Sequence, residues 1–487
     1  MIIKESQDEI WQYLIDQASY KGKCEKVFLV ESRADIEFVL SRANELKVPV
    51  TVSGNHTSLT GSAIPDSGWV ISTERLNKIL EINKEGKYAI VEPGVMLKDL
   101  QLALKEYNLF FPPDPTEDTC FIGGMISTNA SGARSFKYGS TRNYIQEMDM
   151  VLADGRTMNI SRAVKIRGSE FILKPLEGNP ICFDIPSDYK LFSVKNTVGY
   201  HIYKDMDVLD TFIGSEGTLA VISRVKIELK QIPEDIMSLV VFFEHLDTCF
   251  PFIKSVREKS KLNTNLGGIN ARAIEFFDDK SLRLLKTDFP NIPDNAACAV
   301  WIEQELDSLG YEEIFSAWEN CILENGIDVS NVWFGADERD RIKIRDIRHA
   351  LPVKVNELMQ RRGFRKIGTD IAMPVNEFEK FYKMAIRKTC DAELDYVAFG
   401  HFGDSHLHLN LLPSNSEEVE RARELYINLC RDSIKGGGSF SAEHGVGKIK
   451  KLYLIEMLGT ENVDFMKDVK SFFDPNNVLG IGNLFDN

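Results

Sequence analysis

The chain has 487 residues, 43% hydrophobic and 27% charged, with a formal net charge of −15 at neutral pH. That length predicts two or three packed units, and the acid excess excludes nucleic acid as a partner, since phosphate-backbone binding needs clustered Lys and Arg. No apolar run approaches the roughly eighteen residues of a membrane span, Met1 to Glu5 begin no signal-peptide pattern, and the eight cysteines are scattered with no CxxC pair, which disfavours disulfides and an iron–sulfur cluster; the expectation is a cytoplasmic chain with peripheral membrane contact left open.

Lys26 to Val30 reads as a strand, Ser32 caps a helix with apolar Ile36, Val39, Leu40 and Ala43 at helical spacing, and Val48 to Val52 returns as a strand. That is a β-α-β unit. Trp69 to Ile71 reads as a further strand, and Ile79 to Ile82 faces Tyr88 to Glu92 across the polar turn Glu85-Gly86-Lys87. Asp154-Gly155 marks another hairpin, between Met148 to Ala153 and Thr157 to Ile160. Near Lys230 the texture changes to longer helices, predicted at Leu246 to Lys259, Tyr311 to Glu324, Asp337 to Arg362 and Val375 to Thr389, with strands at Ser238 to Glu244 and Cys298 to Glu303. A domain boundary is expected there. From Gly436-Gly437-Gly438 onward the chain returns to loops and short helices.

Three glycine-rich tracts stand out in the first half. Ser53-Gly54-Asn55-His56-Thr57-Ser58-Leu59-Thr60-Gly61 follows a strand, and its small residues let successive backbone N–H groups converge on an anion such as a diphosphate. It matches neither GxGxxG nor GxxxxGK[ST], so neither a Rossmann site nor a P-loop is supported. Pro112-Pro113-Asp114-Pro115-Thr116 stiffens the approach to Thr119-Cys120-Phe121-Ile122-Gly123-Gly124-Met125-Ile126-Ser127-Thr128-Asn129-Ala130-Ser131-Gly132, and Gly214-Ser215-Glu216-Gly217 leads into a strand.

In this order and spacing the tracts resemble the flavin-binding domain of the vanillyl-alcohol-oxidase (PCMH-type) superfamily, in its D-lactate dehydrogenase and glycolate oxidase branch. The likeness extends to Asp474-Pro475-Asn476-Asn477-Val478-Leu479. It implies an α+β fold: a PCMH-type FAD-binding domain of two α+β subdomains over 1–230, a cap domain with a helix-covered sheet over 231–440, and a segment 441–487 returning to the first. It further implies FAD contacts at Gly54, Thr57, Ser58, Leu59, Gly61, Pro113, Asp114, Thr119, Gly123, Gly124, Ser127, Asn129, Gly132, Gly139, Glu216 and Ile222. His56 stands where the family has glycine, and relatives that attach flavin covalently place their histidine at the position of Thr57, so non-covalent FAD is expected.

The stretch Gly400-His401-Phe402-Gly403-Asp404-Ser405-His406-Leu407-His408-Leu409-Asn410 holds three of the eight histidines. His406 and His408 share a strand face, whereas His401, seven residues before His408, joins them only if Gly403-Asp404 turns the chain back. Two imidazoles and a carboxylate suit a divalent transition metal. The stretch, with the later Glu443-His444-Gly445, resembles a hydroxy-acid dehydrogenase motif, which implies His401, His408 and Glu443 as ligands of Zn, Mn or Fe, His444 as general base and Asn410 as a substrate hydrogen-bonder. Ser405 and His406 replace the family's glycine and asparagine, so His406 is open as a fourth ligand or substrate contact. Arg341 to Pro352 resembles the segment whose arginine binds the substrate carboxylate, implying Arg348, with Arg345 as runner-up. The slot of a further cation in some relatives is Gly368 here, with Lys366 two residues earlier.

The resemblance thus implies oxidation of a small D-2-hydroxy carboxylate, D-lactate-like, with hydride passing to flavin N5. Electrons would go to an external acceptor: a quinone, an electron-transferring flavoprotein, a cytochrome or an iron–sulfur partner. An oxidase using O2 and a non-catalytic flavin electron-transfer subunit are the alternatives, and a homodimer is left open.

Overall fold

The computed structural model describes residues 1–18, 20–262, 268–306, 311–335 and 338–486. The chain is mixed α+β and divides into two compact units, one of residues 1–131, 140–232 and 441–487, the other of residues 132–139 and 233–440.

In the first unit the β-α-β run is Lys26–Leu29, the helix Arg33–Leu46 and Val50–Ser53. Trp69–Ser72 inserts between the two strands and pairs parallel with both, while Ile2–Lys4 adds an antiparallel edge. The helix begins where the Ser32 side chain accepts from the Asp35 amide and ends at Lys47 in the left-handed conformation, φ 55°. Its buried stripe of Ile36, Val39, Leu40 and Ala43 packs with Val50, Ile71, Val478 and Leu479. The strand expected at 48 to 52 starts later because the Val48 amide is taken by the Ala43 carbonyl, 2.9 Å away, in the turn that closes the helix. A second, antiparallel sheet runs in the order Ile79–Asn83, Tyr88–Val91, Ala220–Glu228, Ile145–Leu152, Thr157–Ser161. The two expected hairpins are its outer pairs.

The second unit is built on one eight-stranded sheet. Its order is Val332–Gly335, Asp235–Phe243, Cys298–Leu306, Ala271–Asp278, Tyr396–Gly400, His406–Leu411 and Ile367–Gly368, with Ile371–Ala372 also pairing to His406–Leu411. Alternate residues feed two cores. Leu239, Val241, Leu407, Leu409 and Leu411 pack under the helices Leu246–Leu262, Tyr311–Glu324, Val375–Asp391 and Ser416–Lys435. Val240, Phe242, Val397 and Leu412 pack instead with Asp279–Leu285 and Glu338–Arg362. The helix expected from 337 is described from Glu338, residue 337 lying outside the described residues. Hydrophobic alternation leaves out the strand Ala271–Asp278 for a physical reason: all eight of its residues are buried, so it has no solvent-facing period to read.

Candidate active site

A strand, a turn and a returning strand gather the three clustered histidines within the second unit. Tyr396–Gly400 pairs antiparallel with His406–Leu411, setting Phe399 opposite His408 and Val397 opposite Asn410. Phe402–Asp404 makes a single helical turn between them, and Ser405 follows with φ 55°. Gly400 adopts φ 151°, and an added Cβ would lie 2.5 Å from the His406 carbonyl oxygen, so the reversal requires glycine. The turn cancels the odd offset of His401. Ring centroids are 5.2 Å apart for His401 and His406, 5.3 Å for His401 and His408, and 4.3 Å for His406 and His408. Ring nitrogens of all three lie within 4.8 Å of one another.

The three differ in which nitrogen the protein has committed. His401 holds Nδ1 2.6 Å from Glu275 Oε1, and His408 donates from Nδ1 to the Thr369 carbonyl at 3.3 Å. With Nδ1 carrying the proton, Nε2 is the nitrogen that offers a lone pair, the arrangement a metal-binding imidazole needs. His406 is reversed: its Nε2 faces Asp370 Oδ1 at 3.0 Å, and both side chains are buried. Asn410 is buried on the same strand and its Nδ2 donates to the His408 carbonyl at 3.3 Å. Gly368 makes room for it, since a Cβ there would lie 2.8 Å from Asn410 Oδ1.

Arg348 projects from Glu338–Arg362 onto the same buried carboxylate as His401, its Nε donating to Glu275 Oε2 at 3.4 Å. Glu275 is 3% exposed. Burial by itself would raise its pKa, but its interactions with His401 and then with the Arg348 guanidinium outweigh that, and the net shift is downward. Arg345, one turn earlier, has a side chain 52% exposed beside Asp346. Glu275 escapes sequence reasoning because it meets His401 across 126 residues; an acid inside the apolar run Ala271–Asp278 is the signal that could have found it. Lys366 precedes the edge strand Ile367–Gly368, and burial lowers its pKa.

In the first unit the three glycine-rich tracts are bonded to one another. Asn55 Nδ2 donates to the Thr119 carbonyl at 2.8 Å, and the Gly214 and Glu216 amides donate to Ile126 and Ser127 carbonyls at 2.9 and 2.8 Å. Among the described residues, the amides of Asn55, His56, Thr57, Ser58 and Leu59 meet no acceptor within the chain. Consecutive unengaged N–H groups fit a diphosphate, and a Cβ at Gly124 would meet nothing within 4 Å, leaving room for close approach by a ligand. These features fit FAD. His56 has φ 55° and packs edge-on against Tyr13 with centroids 5.4 Å apart. Gly61 is fixed by its amide's bond to Asp16 Oδ2 at 2.9 Å, and Ser127 Oγ donates to the Gly123 carbonyl at 2.8 Å. Pro113 and Ile222 are buried, and Asp114 donates its amide to the Ser131 carbonyl at 3.1 Å. Gly132 and Gly139, by contrast, bound the short segment that belongs to the second unit.

Glu443 and His444 lie in the first unit, in a loop closed by Ser441 Oγ donating to the Gly445 carbonyl at 2.6 Å. Glu443 Oε2 accepts from Ser131 Oγ and from Lys195 Nζ, each at 3.0 Å, while Oε1 lies 3.9 Å from His444 Nε2. Sequence reasoning missed Lys195, which stands 248 residues away with no motif to mark it. Glu216 anchors the loop's far end, its two oxygens accepting the Val446 and Gly447 amides at 2.7 and 2.8 Å. Burial pushes its carboxyl up to about 7, against those two bonds and Lys450.

Residues 24–161 match a family described as FAD binding domain, and residues 232–484 match FAD linked oxidases, C-terminal domain. The chain belongs to the FAD-linked oxidases. Its relatives include a D-lactate dehydrogenase of Anaerostipes hadrus, 28% identical over 96% of this chain and 91% of the relative. The glycolate oxidase subunit GlcD of Bacillus subtilis is 27% identical over 96% and 90%. A D-2-hydroxyglutarate dehydrogenase of Stutzerimonas stutzeri is 27% identical over 93% and 89%. Among solved structures, 4-ethylphenol oxidase from Gulosibacter chungangensis aligns with TM-score 0.69 at 15% identity, covering 99% of this chain and 94% of its own. An alkyldihydroxyacetonephosphate synthase aligns with TM-score 0.68 at 14% identity, over 98% and 82%. At such identity these two speak to the fold alone. Among the described residues, no helix is long and apolar enough to cross a membrane.

Proposed function

We propose that this FAD-linked oxidase acts on a D-2-hydroxy acid of D-lactate type, converting it to the 2-oxo acid and passing the electrons to an external acceptor. The observation that carries the reading is the commitment of Nδ1 in both His401 and His408, to Glu275 and to the Thr369 carbonyl. Proteins orient imidazoles in this way to present Nε2 to a metal. His401, His408 and Glu443 would supply two neutral nitrogens and a carboxylate oxygen, a donor set suited to a divalent transition metal. Such a metal supplies positive charge that favours loss of the substrate hydroxyl proton. FAD, when bound, supplies the hydride acceptor.

The chain's own residues divide the remaining work. His444, half-buried, takes the hydroxyl proton as the Cα hydride leaves, so that the alcohol loses one proton and one hydride and becomes a ketone. Arg348 binds the carboxylate, its charge tempered by Glu275. Asn410, immobilised on its strand, holds the substrate oxygen by a hydrogen bond and limits the poses available to Cα. Arg348 and Asn410 are both buried, which strengthens the hydrogen bonds that each makes.

Anaerobic stopped-flow mixing of the FAD-loaded protein with a panel of D- and L-2-hydroxy acids tests the proposal. Bleaching of the flavin by at least one D-acid is expected, with loss of bleaching after chelator treatment and recovery on adding a divalent metal. His444→Ala should keep its flavin and reduce it at least ~100-fold more slowly. A flavin that no 2-hydroxy acid reduces would sink the reading.

A further inference from the structure

We propose that Lys195 is a positioning residue for the Glu443 carboxylate, and through it for the divalent cation that Glu443 helps to hold. The inference rests on the reading of Glu443 as a metal ligand.

The segment bearing Lys195 is locked to the loop bearing Glu443 by backbone geometry. The Thr197 amide donates to the Ser441 carbonyl at 3.0 Å, and Thr197 Oγ1 accepts the Gly445 amide at 3.0 Å. Asn196 braces its own turn, its Nδ2 donating to the Val194 carbonyl at 2.8 Å and its Oδ1 accepting the Val198 amide at 3.3 Å. On the loop side, Lys450 Nζ donates to Ser441 Oγ at 3.0 Å. Contacts therefore fix both ends of the Lys195–Glu443 pair before the two side chains meet. That makes the ammonium a fixed point rather than a mobile surface charge. Both side chains are only 13% exposed, unlike the solvated ion pairs that contribute little.

What the ammonium does follows from where it binds. Oε2 receives two donors, Lys195 Nζ and Ser131 Oγ, each at 3.0 Å. The charged donor is the stronger of the two, so Lys195 does most to fix the plane of the carboxylate and the direction in which it is presented. Oε1 lies 3.9 Å from His444 Nε2, so the orientation fixed by Lys195 also sets the spacing between the carboxylate and the proposed base. Without Lys195 the carboxylate is freer to rotate about its terminal torsion, which is soft, and its direction is less well fixed. Loss of a partner that orients a metal-binding carboxylate costs roughly 10–100-fold in metal affinity or activity.

The test uses the full-length, FAD-loaded protein, stripped of metal by a chelator and titrated with Zn2+ or Mn2+ against a chromophoric competitor. Lys195→Met should weaken metal affinity roughly 10–100-fold at unchanged flavin content, with flavin reduction restored by excess metal. Lys195→Arg keeps a charged donor and should stay within about threefold of wild type, and Ser131→Ala, which leaves the ammonium in place, should do the same. A merely structural ion pair would leave metal affinity unmoved in every folded variant. Wild-type affinity in Lys195→Met overturns the inference while leaving the function standing, whereas a wild-type protein that takes up no metal overturns both. Should Lys195→Met fail to fold, Lys195→Gln carries the same comparison.

Discussion

Replacing Glu275 with Gln probes the polar cluster at its most connected point. The carboxylate faces His401 Nδ1 at 2.6 Å and Arg348 Nε at 3.4 Å, and its side chain is 5% exposed. Glutamine preserves the shape and one acceptor but removes the charge, leaving the buried Arg348 guanidinium without this counter-ion. Removing one partner of a buried pair costs about 3–5 kcal/mol, and the hydrogen bond that the amide can keep with His401 returns about 1 kcal/mol. The expected loss is therefore about 3 kcal/mol, which at a urea m-value of about 2 kcal/mol/M moves the midpoint down by about 1.5 M. Tryptophan fluorescence reports it, because Trp301, Trp318 and Trp333 all belong to the second unit. The pH dependence supplies a second readout. Glu275 has a folded pKa below its ordinary 4.5, so its contribution is complete above pH 4.5 and is lost as pH falls through the lower folded value. The variant should lack that acid limb. A midpoint within about 0.2 M of wild type, with the acid limb intact, would refute the account of Glu275 as the shared counter-ion.

Glu216 should give the opposite pH signature: its carboxyl, raised from 4.5 to about 7, is held protonated by the fold, so stability is greatest below pH 4.5 and erodes as pH rises to about 7. The full change is about 3 kcal/mol, and Glu216→Gln should flatten that limb in denaturation curves taken at several pH values. Gly447→Ala should destabilise the first unit by at least about 3 kcal/mol and shed flavin on gel filtration, because φ is 53° and the new Cβ would lie 2.2 Å from the Thr60 carbonyl oxygen. His401→Asn and His408→Asn should lose the metal, and His406→Asn should weaken its binding roughly tenfold or more, since Nε2 of His406 is committed to Asp370 and Nδ1 carries the lone pair within the same cluster; metal content by mass spectrometry checks all three, and unchanged content in His406→Asn would remove it as a fourth ligand.

Elements whose signal is local are legible in the residues themselves. The Ser32 cap and the stripe Ile36, Val39, Leu40 and Ala43 need only the helical period, and both hairpins of the second sheet in the first unit announce themselves by their turn residues. The reversal at 400–406 is equally readable, because a glycine-bearing turn between two short apolar runs has few other outcomes. The choice between Arg345 and Arg348 is not. Both are arginines on one helix, and only packing turns Arg348 inward, on the side of Ile344, Ile347 and Leu351, and leaves Arg345 in water.

By itself, then, the sequence determined the family, the mixed α+β class and the three histidines of one reversal, since each depends on residues within a few positions or on motif order. Tertiary structure alone decided which acids and cations stand behind them: Glu275 behind His401 across 126 residues, Asp370 behind His406, and Lys195 on Glu443 across 248. The reason is that a charged side chain carries no period and no turn preference that names its partner. Its partner is whichever opposite charge the packed cores bring within hydrogen-bonding reach, where leaving either one alone would cost several kcal/mol.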